Sequence, residues 1–136
     1  MIIAIDFDGT ITDSQFTDFP ATGNIMPGAR RVINYLHDQL GIKIIIWTCR
    51  SLPAELEAMK KFLKDNGVQY DAINANNFVP FVNTPKIYAD IYIDDRQAGG
   101  LPGTWDGIYE VIKPAIKAAI GKTHKVAYAS DIPGNY

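Results

Sequence analysis

Short apolar runs rich in β-branched residues alternate along this chain with segments of helical periodicity. The runs at 2–5 (IIAI) and 42–47 (IKIIIW) are typical of strands that are buried on both faces. A third run at 91–93 (IYI) follows the same pattern, and 68–73 is a weaker candidate. Strands that alternate with helices are joined by right-handed crossovers and therefore lie parallel. The alternation predicts a doubly wound α/β domain with a mainly parallel sheet.

Three segments carry apolar residues at helical spacing. The first runs from Pro27 to a stop at Gly41, and the second covers 53–66. Proline is favoured in the first turn of a helix and glycine just after its last turn. The third segment, 105–120, contains Pro114, which predicts a kink or a break in that helix.

Composition favours one globular domain over 1–136, with a flap at about 11–26 and a C-terminal helix and tail at about 104–136. The 136 residues fit a domain of about 100–200 residues, and 47% of them are hydrophobic. The net charge of −2 counts against a nucleic-acid partner, though not against a single-stranded end. One cysteine excludes a disulfide framework. The first apolar run is too short for a signal peptide or a membrane span, so we expect a cytoplasmic protein without a membrane partner.

Polar and charged side chains follow the three clearest strands, at the point where each ends: Asp6 and Asp8, Thr48 and Arg50, and Asp94, Asp95 and Arg96. The carboxyl ends of parallel strands meet at one edge of the sheet, where ligands bind. Several carboxylates repel one another there unless a cation lies among them, and hard oxygen ligands suit Mg²⁺. An Asp-Gly turn would explain one of these acids but not all of them. An EF-hand loop fails, because it would place Ala4 and Gln15 at its first and last ligand positions.

Hydroxyl and cationic side chains accompany the acids. Thr48 supplies a hydrogen-bond donor and Lys86 a mobile positive charge, while Arg50 carries a planar guanidinium group suited to phosphate, as does Arg96. Each also has an ordinary structural explanation: a strand end for Thr48, a solvated loop for Lys86, and an ion pair with the strand-end acids for Arg50. Together they indicate a phosphate pocket beside the metal site, with a carboxylate available as a nucleophile.

Four motifs of the chain resemble those of the haloacid dehalogenase-like (HAD) phosphohydrolases, in that family's order. Residues 6–10 (DFDGT) are similar to the first signature, D-x-D-G-T, and 44–48 (IIIWT) to the second, a hydrophobic strand that ends in Thr or Ser. Lys86 is the candidate for the third, a lysine, and 91–95 (IYIDD) resembles the fourth, a strand that ends in paired acids. The resemblance covers residues 1 to about 96 and implies a HAD-type Rossmann-like core.

The resemblance also implies a mechanism. Asp6 would be the nucleophile that forms a phospho-aspartate. Asp8 would protonate the leaving alcohol and then take a proton from the attacking water, and its presence implies a phosphatase rather than a dehalogenase. Mg²⁺ is the implied cofactor, and its implied ligands are Asp6, the backbone carbonyl of Asp8, and the acid pair Asp94 and Asp95. Which acid of that pair binds directly, and which through water or as support, stays open.

The same resemblance assigns the phosphate contacts. Thr48 and Lys86 would bind the transferring phosphoryl oxygens and offset charge in the transition state. The other residues expected to contact the substrate are Gly9, Thr10, Arg50 and Arg96. The chain is thus expected to be a Mg²⁺-dependent phosphomonoester hydrolase that acts on a phosphorylated small molecule or on an accessible end of a larger one.

Family members usually carry a cap domain, and this chain resembles the capless type with an open site. The stretch at 11–26 leaves room for a flap and little more. Four apolar residues of the flap either cover a substrate or pack the flap onto the domain: Phe16, Phe19, Ile25 and Met26. Some capless members use a neighbouring subunit as a lid, so the resemblance allows a homo-oligomer.

Two other functions are compatible with the motifs. The first is a catalytically weak phosphate-binding, metal-binding or assembly module on the same fold. The second is a receiver domain of two-component signalling, whose phospho-accepting Asp ends a middle strand. Because Thr48 stands at that place in this chain, the order of elements disfavours a receiver domain.

Overall fold

The computed structural model describes residues 1–75, 78–80, 84–134 and 136. Its main elements, in chain order, are β1 (Ile2–Asp6), α1 (Ala29–Asn34), β2 (Lys43–Trp47), α2 (Pro53–Asp65), β3 (Ala72–Ile73), β4 (Ile91–Ile93) and α3 (Trp105–Ile120). A π-helical turn, Tyr35–Gln39, follows α1 directly, and 3₁₀ turns lie at Phe16–Asp18 and Ala129–Asp131. None of the helices formed by these residues is long and apolar enough to cross a membrane.

The four strands form one parallel sheet in the order β3-β2-β1-β4. The chain moves outward from β1 to β3 and then returns to the other side of β1. This reversal places the topological switch point between β1 and β4, where α/β sheets bind their ligands. The predicted α/β doubly wound, Rossmann-like core with a parallel sheet is confirmed.

The core has two unequal layers, because successive strand residues face opposite sides of the sheet. Ile3 and Ile5 of the central strand lie in one buried cluster with residues of α1, α2 and α3. Ile2 and Ala4 face the other side, where their cluster includes Ile87 of the segment before β4. Between β3 and β4, the residues that the structure describes form no helix. This agrees with the loop expected at 74–83, of which 76, 77 and 81–83 lie outside the described residues.

Three boundaries differ from the sequence-based prediction. Helix α1 begins at Ala29, so Pro27 lies outside it, since Gly28 adopts a left-handed φ of 79°. The strand expected over 68–73 is reduced to Ala72–Ile73. Of the kink or break predicted at Pro114, the break is wrong, because α3 is continuous through this residue. Pro114 and Glu110, the residue four before it, are both exposed, so water can reach the carbonyl that loses its N–H partner.

The flap at 11–26 is fastened at its base. The Met26 N–H donates to the Ile11 carbonyl at 2.8 Å, and the Asp13 N–H donates to the Asn24 carbonyl at 2.9 Å. The Asp13 carboxylate in turn accepts from the Asn24 N–H at 2.7 Å. These bonds hold the 3₁₀ turn Phe16–Asp18 beyond the carboxyl end of β1.

Candidate active site

Three carboxylates meet at the switch point of the sheet. Asp6 ends β1, and Asp94 and Asp95 follow β4 directly. The parallel register pairs Ile5 with Ile93, which brings the two strand ends side by side. One carboxylate oxygen from each acid lies within 4.8 Å of the other two. The structure therefore brings together these three of the predicted acids.

The pKa of Asp6 is raised by its burial and by the neighbouring acids. Burial raises this pKa most, and a hydrogen bond with Asp95 raises it further. The charges of Asp94, Asp95 and Asp8 act in the same direction, and the pKa reaches about 8 instead of the ordinary 3.8. A cation among the acids would stabilise their ionised forms and so lower the pKa of Asp6. An all-oxygen set of three carboxylates is the donor chemistry of Mg²⁺, so the residues present fit that ion.

Gly9 and Thr10 support the acids from the loop after β1. Gly9 has a φ of 79°, and a Cβ at this position would collide with the Asp95 carboxylate. The buried Thr10 hydroxyl accepts the Asp95 N–H at 3.1 Å and lies 3.4 Å from Asp6 Oδ2. The Trp105 indole N–H donates to the Thr10 carbonyl at 2.9 Å, which connects this loop to α3. Both predicted substrate residues thus hold the acid cluster in place.

Asp8 points to a different set of partners from Asp6. Arg50 donates to both of its carboxylate oxygens, from Nη2 to Oδ1 at 2.8 Å and from Nε to Oδ2 at 2.9 Å. The Ser14 hydroxyl donates to Oδ1 at 2.6 Å. Ser14 was not identified from the sequence, because a lone flap serine carries no spacing signal. Asp8 is the acceptor in all three hydrogen bonds, which together fix the orientation of its carboxylate.

The Arg50 guanidinium is buried, with 1% of the residue exposed. Besides Asp8, it donates to the carbonyls of Pro20 at 2.8 Å and Ala21 at 2.7 Å, both in the flap. Its Cζ lies 4.2 Å from the centre of the Phe19 ring. The ion pair considered as the ordinary explanation of Arg50 is therefore present, and the side chain joins Asp8 to the flap.

Thr48 lies at the end of β2 and is almost buried. Its hydroxyl accepts the Arg50 N–H at 3.0 Å. The Asn74 amide spans its backbone, accepting from the Thr48 N–H and donating to the Thr48 carbonyl, both at 2.9 Å. Asn74 has a φ of 48°, a conformation that asparagine tolerates better than most residues. Asn74 was not identified from the sequence, where its position directly after a predicted strand was the available signal.

A cavity of about 110 Å³ opens over the acids. Asp6, Asp8, Asp94 and Asp95 line one part of it, and flap residues line another. Arg96 is the only cation among the described residues that line the cavity. Its backbone N–H donates to Asp94 Oδ1 at 2.9 Å, while its side chain is exposed. The predicted acids and Arg96 thus line the same cavity.

Lys86 lies apart from this cavity. It is exposed, its Nζ is 5.5 Å from the centre of the Tyr92 ring, and it lines a separate cavity with Thr84 and Tyr88. Tyr92 belongs to the cluster on the sheet face that α1, α2 and α3 do not cover. The structure therefore does not bring Lys86 together with the acids.

Comparison with known proteins gives one informative similarity. No protein-family model matches the chain, and neither does any curated protein. Among solved structures, the chain is similar to a conserved protein from Bacteroides thetaiotaomicron, with 33% sequence identity and a TM-score of 0.70. The similarity covers 85% of this chain and 91% of that one. At this identity over nearly the full length of both, the chain belongs to the same family as this Bacteroides protein.

Proposed function

We propose that the protein is a Mg²⁺-dependent phosphomonoester hydrolase that forms a phospho-aspartate on Asp6. The observation that carries the proposal is the meeting of Asp6, Asp94 and Asp95 in one cavity, with Asp8 two residues after Asp6. The four motifs that resemble HAD phosphohydrolases support the same reaction. The raised pKa of Asp6 adds a reason why the cluster needs a cation.

Mg²⁺ would be held by the carboxylates of Asp6, Asp94 and Asp95 and by the backbone carbonyl of Asp8. When bound, the ion supplies positive charge that orients the phosphate and offsets its repulsion from the Asp6 carboxylate. Gly9 and Thr10 keep the acids close enough together to share the ion. Gly9 leaves room for the Asp95 carboxylate because it has no Cβ, and the Thr10 hydroxyl accepts the Asp95 N–H.

Asp6 and Asp8 divide the chemistry between them. An Asp6 carboxylate oxygen attacks phosphorus, and the bond from phosphorus to the ester oxygen breaks. Asp8 gives a proton to that leaving oxygen, which departs as an alcohol. In the second step Asp8 takes a proton from water as the water attacks the aspartyl phosphate and releases phosphate. Arg50 and Ser14 donate to both acceptor positions of Asp8 Oδ1 and to one of Oδ2, so the second position on Oδ2 would carry the proton while Arg50 holds the carboxylate in place.

The phosphoryl oxygens need cationic and hydroxyl contacts. Arg96 is the proposed cation because it lines the acid cavity, whereas Lys86 lines another one. The Thr48 hydroxyl is the further donor that the resemblance implies, although Thr48 is not among the described residues that line the acid cavity. Thr48 follows Trp47, the register partner of Asp6, and its hydroxyl accepts the Arg50 N–H. Arg50 itself acts through Asp8 and the flap.

The proposal predicts Mg²⁺-dependent release of phosphate from an aryl phosphate such as 4-nitrophenyl phosphate. Asp6→Asn should reduce the rate to the level without protein, because an amide oxygen does not form the acyl phosphate. Asp65→Asn, at an exposed site at the end of α2, is the matched control and should keep full activity. Undiminished release by Asp6→Asn would refute the assigned nucleophile.

A second candidate is a metal- or phosphate-binding module without turnover. The observation that favours it is the position of Lys86, which leaves Arg96 as the cation of the acid cavity among the described residues. This candidate predicts Mg²⁺ binding that Asp6→Asn weakens, with no phosphate released from any ester of a broad panel.

A further inference from the structure

We infer that the substrate is a small phosphomonoester whose alcohol part contains a flat unsaturated ring and no second anionic group. The ring would stack on Phe16 at the rim of the acid cavity. This inference rests on the proposed hydrolase function and names the substrate class for that site.

The size of the cavity requires most of the substrate to lie outside it. Its volume is about 110 Å³, compared with roughly 300–1,000 Å³ for pockets that enclose a whole drug-sized ligand. The acids occupy the inner part, so the phosphoryl group fills the space beside them. The alcohol part then extends toward the rim, where the flap supplies Gln15 and Phe16.

Phe16 is the aromatic side chain available at this rim. It is 66% exposed and belongs to the 3₁₀ turn Phe16–Asp18. Phe19 also lines the cavity, but the Arg50 guanidinium lies against its ring at 4.2 Å. A single exposed apolar residue is common on proteins. This one lines the proposed reaction site, on a flap that hydrogen bonds fasten at Asp13 and Arg50.

Charge around the rim excludes strongly anionic substrates. The flap sequence at 11–26 contains Asp13 and Asp18 but no Lys or Arg. Of the described residues that line the cavity, four are acids and Arg96 is the cation. With Asp8 paired to Arg50, a divalent ion among the acids brings the site near neutrality. A second phosphate on the substrate would therefore meet acids without a matching cation.

Two phosphate esters of the ribose 5-hydroxyl, one with a base and one without, test the stacking. Adenosine 5′-monophosphate and ribose 5-phosphate present the same reacting group, and only the first carries a flat base. The ratio of their kcat/KM values should be about tenfold in favour of the nucleotide, as expected for one stacked base. Phe16→Ala should reduce that ratio to about one, and Phe16→Trp should preserve it.

Tyr128→Ala is the matched control, because Tyr128 is 67% exposed and packs over Lys113 rather than at the cavity. It should leave the ratio and both rates unchanged. Adenosine 3′,5′-bisphosphate should have a severalfold lower kcat/KM than the monophosphate. An equal or higher value would refute the charge part of the inference.

The outcomes separate this inference from the proposed function. If the wild-type protein hydrolyses both esters with equal kcat/KM, the stacking inference is refuted and the hydrolase stands. If it hydrolyses neither ester and no other phosphate ester, the proposed function fails. Equilibrium binding of the two esters to the wild-type protein then tests the stacking inference. Tighter binding of the nucleotide that Phe16→Ala abolishes supports it, and equal binding refutes it.

Discussion

Arg50 shows how one buried side chain connects the parts of this site. Its guanidinium binds both oxygens of Asp8 and the carbonyls of Pro20 and Ala21. The acid proposed for proton transfer and the flap proposed to cover the substrate are therefore held by the same group. Arginine suits this position because its planar fork serves a carboxylate and several carbonyls at once, which a lysine ammonium does not.

Removal of this group should be costly for stability. Arg50→Met removes both bonds from Arg50 to Asp8, whose carboxylate keeps the bond from the Ser14 hydroxyl, and takes this donor away from the carbonyls of Pro20 and Ala21. We expect the free energy of unfolding to fall by about 3–5 kcal/mol, as for other buried ion pairs that lose one partner. Urea denaturation measures the change. A loss below about 1 kcal/mol, typical of an exposed ion pair, would contradict the assigned burial.

A second substitution distinguishes positioning from phosphate binding. Arg50→Lys keeps the positive charge but loses the paired donors that bind both oxygens of Asp8. The folded variant should therefore orient Asp8 less well for proton transfer. We expect kcat for an aryl phosphate to fall while KM changes little, since the structure directs Arg50 to Asp8. A raised KM with unchanged kcat would instead support the phosphate contact that the family resemblance implies.

At the scale of elements, apolar runs predicted the strands well because burial on both faces leaves a continuous sequence signal. β1, β2 and β4 all lie where such runs predict them, each followed by the polar residues of the site. The helix at 105–120 was also found from its periodicity. The break expected at Pro114 did not follow from the sequence. A proline is tolerated there when water reaches the carbonyl four residues before it, and this depends on which side of α3 faces the solvent.

The local surroundings of the site residues could be predicted less well. Sequence order suggested that Asp6 and Asp94 meet, since both follow parallel strands. It carried no information on which acid Arg50 binds, because that depends on the path of the flap. Lys86 lies in a segment without strand or helix periodicity. Its distance from β4 along the sequence therefore did not predict where its side chain lies.

Helix α3 offers a test of local stability. The Thr104 hydroxyl accepts the Gly107 N–H at 3.1 Å and caps the first turn. Thr104→Ala should lower the free energy of unfolding by about 1 kcal/mol, with Thr104→Ser close to wild type. Thermal or urea denaturation provides the measurement. Equal stability of the alanine and serine variants would show that the cap contributes nothing.

For the whole molecule, the acid cluster is expected to make the free energy of unfolding depend on pH and, at the proposed site, on a bound cation. The pKa of Asp6 is about 8 in the folded protein and near 3.8 in an unfolded chain. Between these values the folded state holds a proton that the unfolded state has lost, so unfolding becomes easier as the pH rises. The melting temperature of the metal-free protein should therefore fall from about pH 4 to pH 8.

The proposed Mg²⁺ site predicts that the ion reverses this loss of stability, because it would bind the ionised acids of the folded state. The rise in melting temperature on adding Mg²⁺ should be larger at pH 8 than at pH 5. Asp6→Asn should flatten the pH dependence of the metal-free protein, and Asp65→Asn should preserve it. A metal-free stability that increases over this pH range would overturn the description of the cluster.

The link between α3 and the acid loop has an optical consequence. Trp105 is buried, and its indole N–H donates to the carbonyl of Thr10, whose hydroxyl lies between Asp6 and the Asp95 backbone. Any shift of that loop when a cation binds will alter the hydrogen bond and the field at the indole. The protein thus contains its own fluorescent probe, separated only by Thr10 from the acids proposed to bind Mg²⁺.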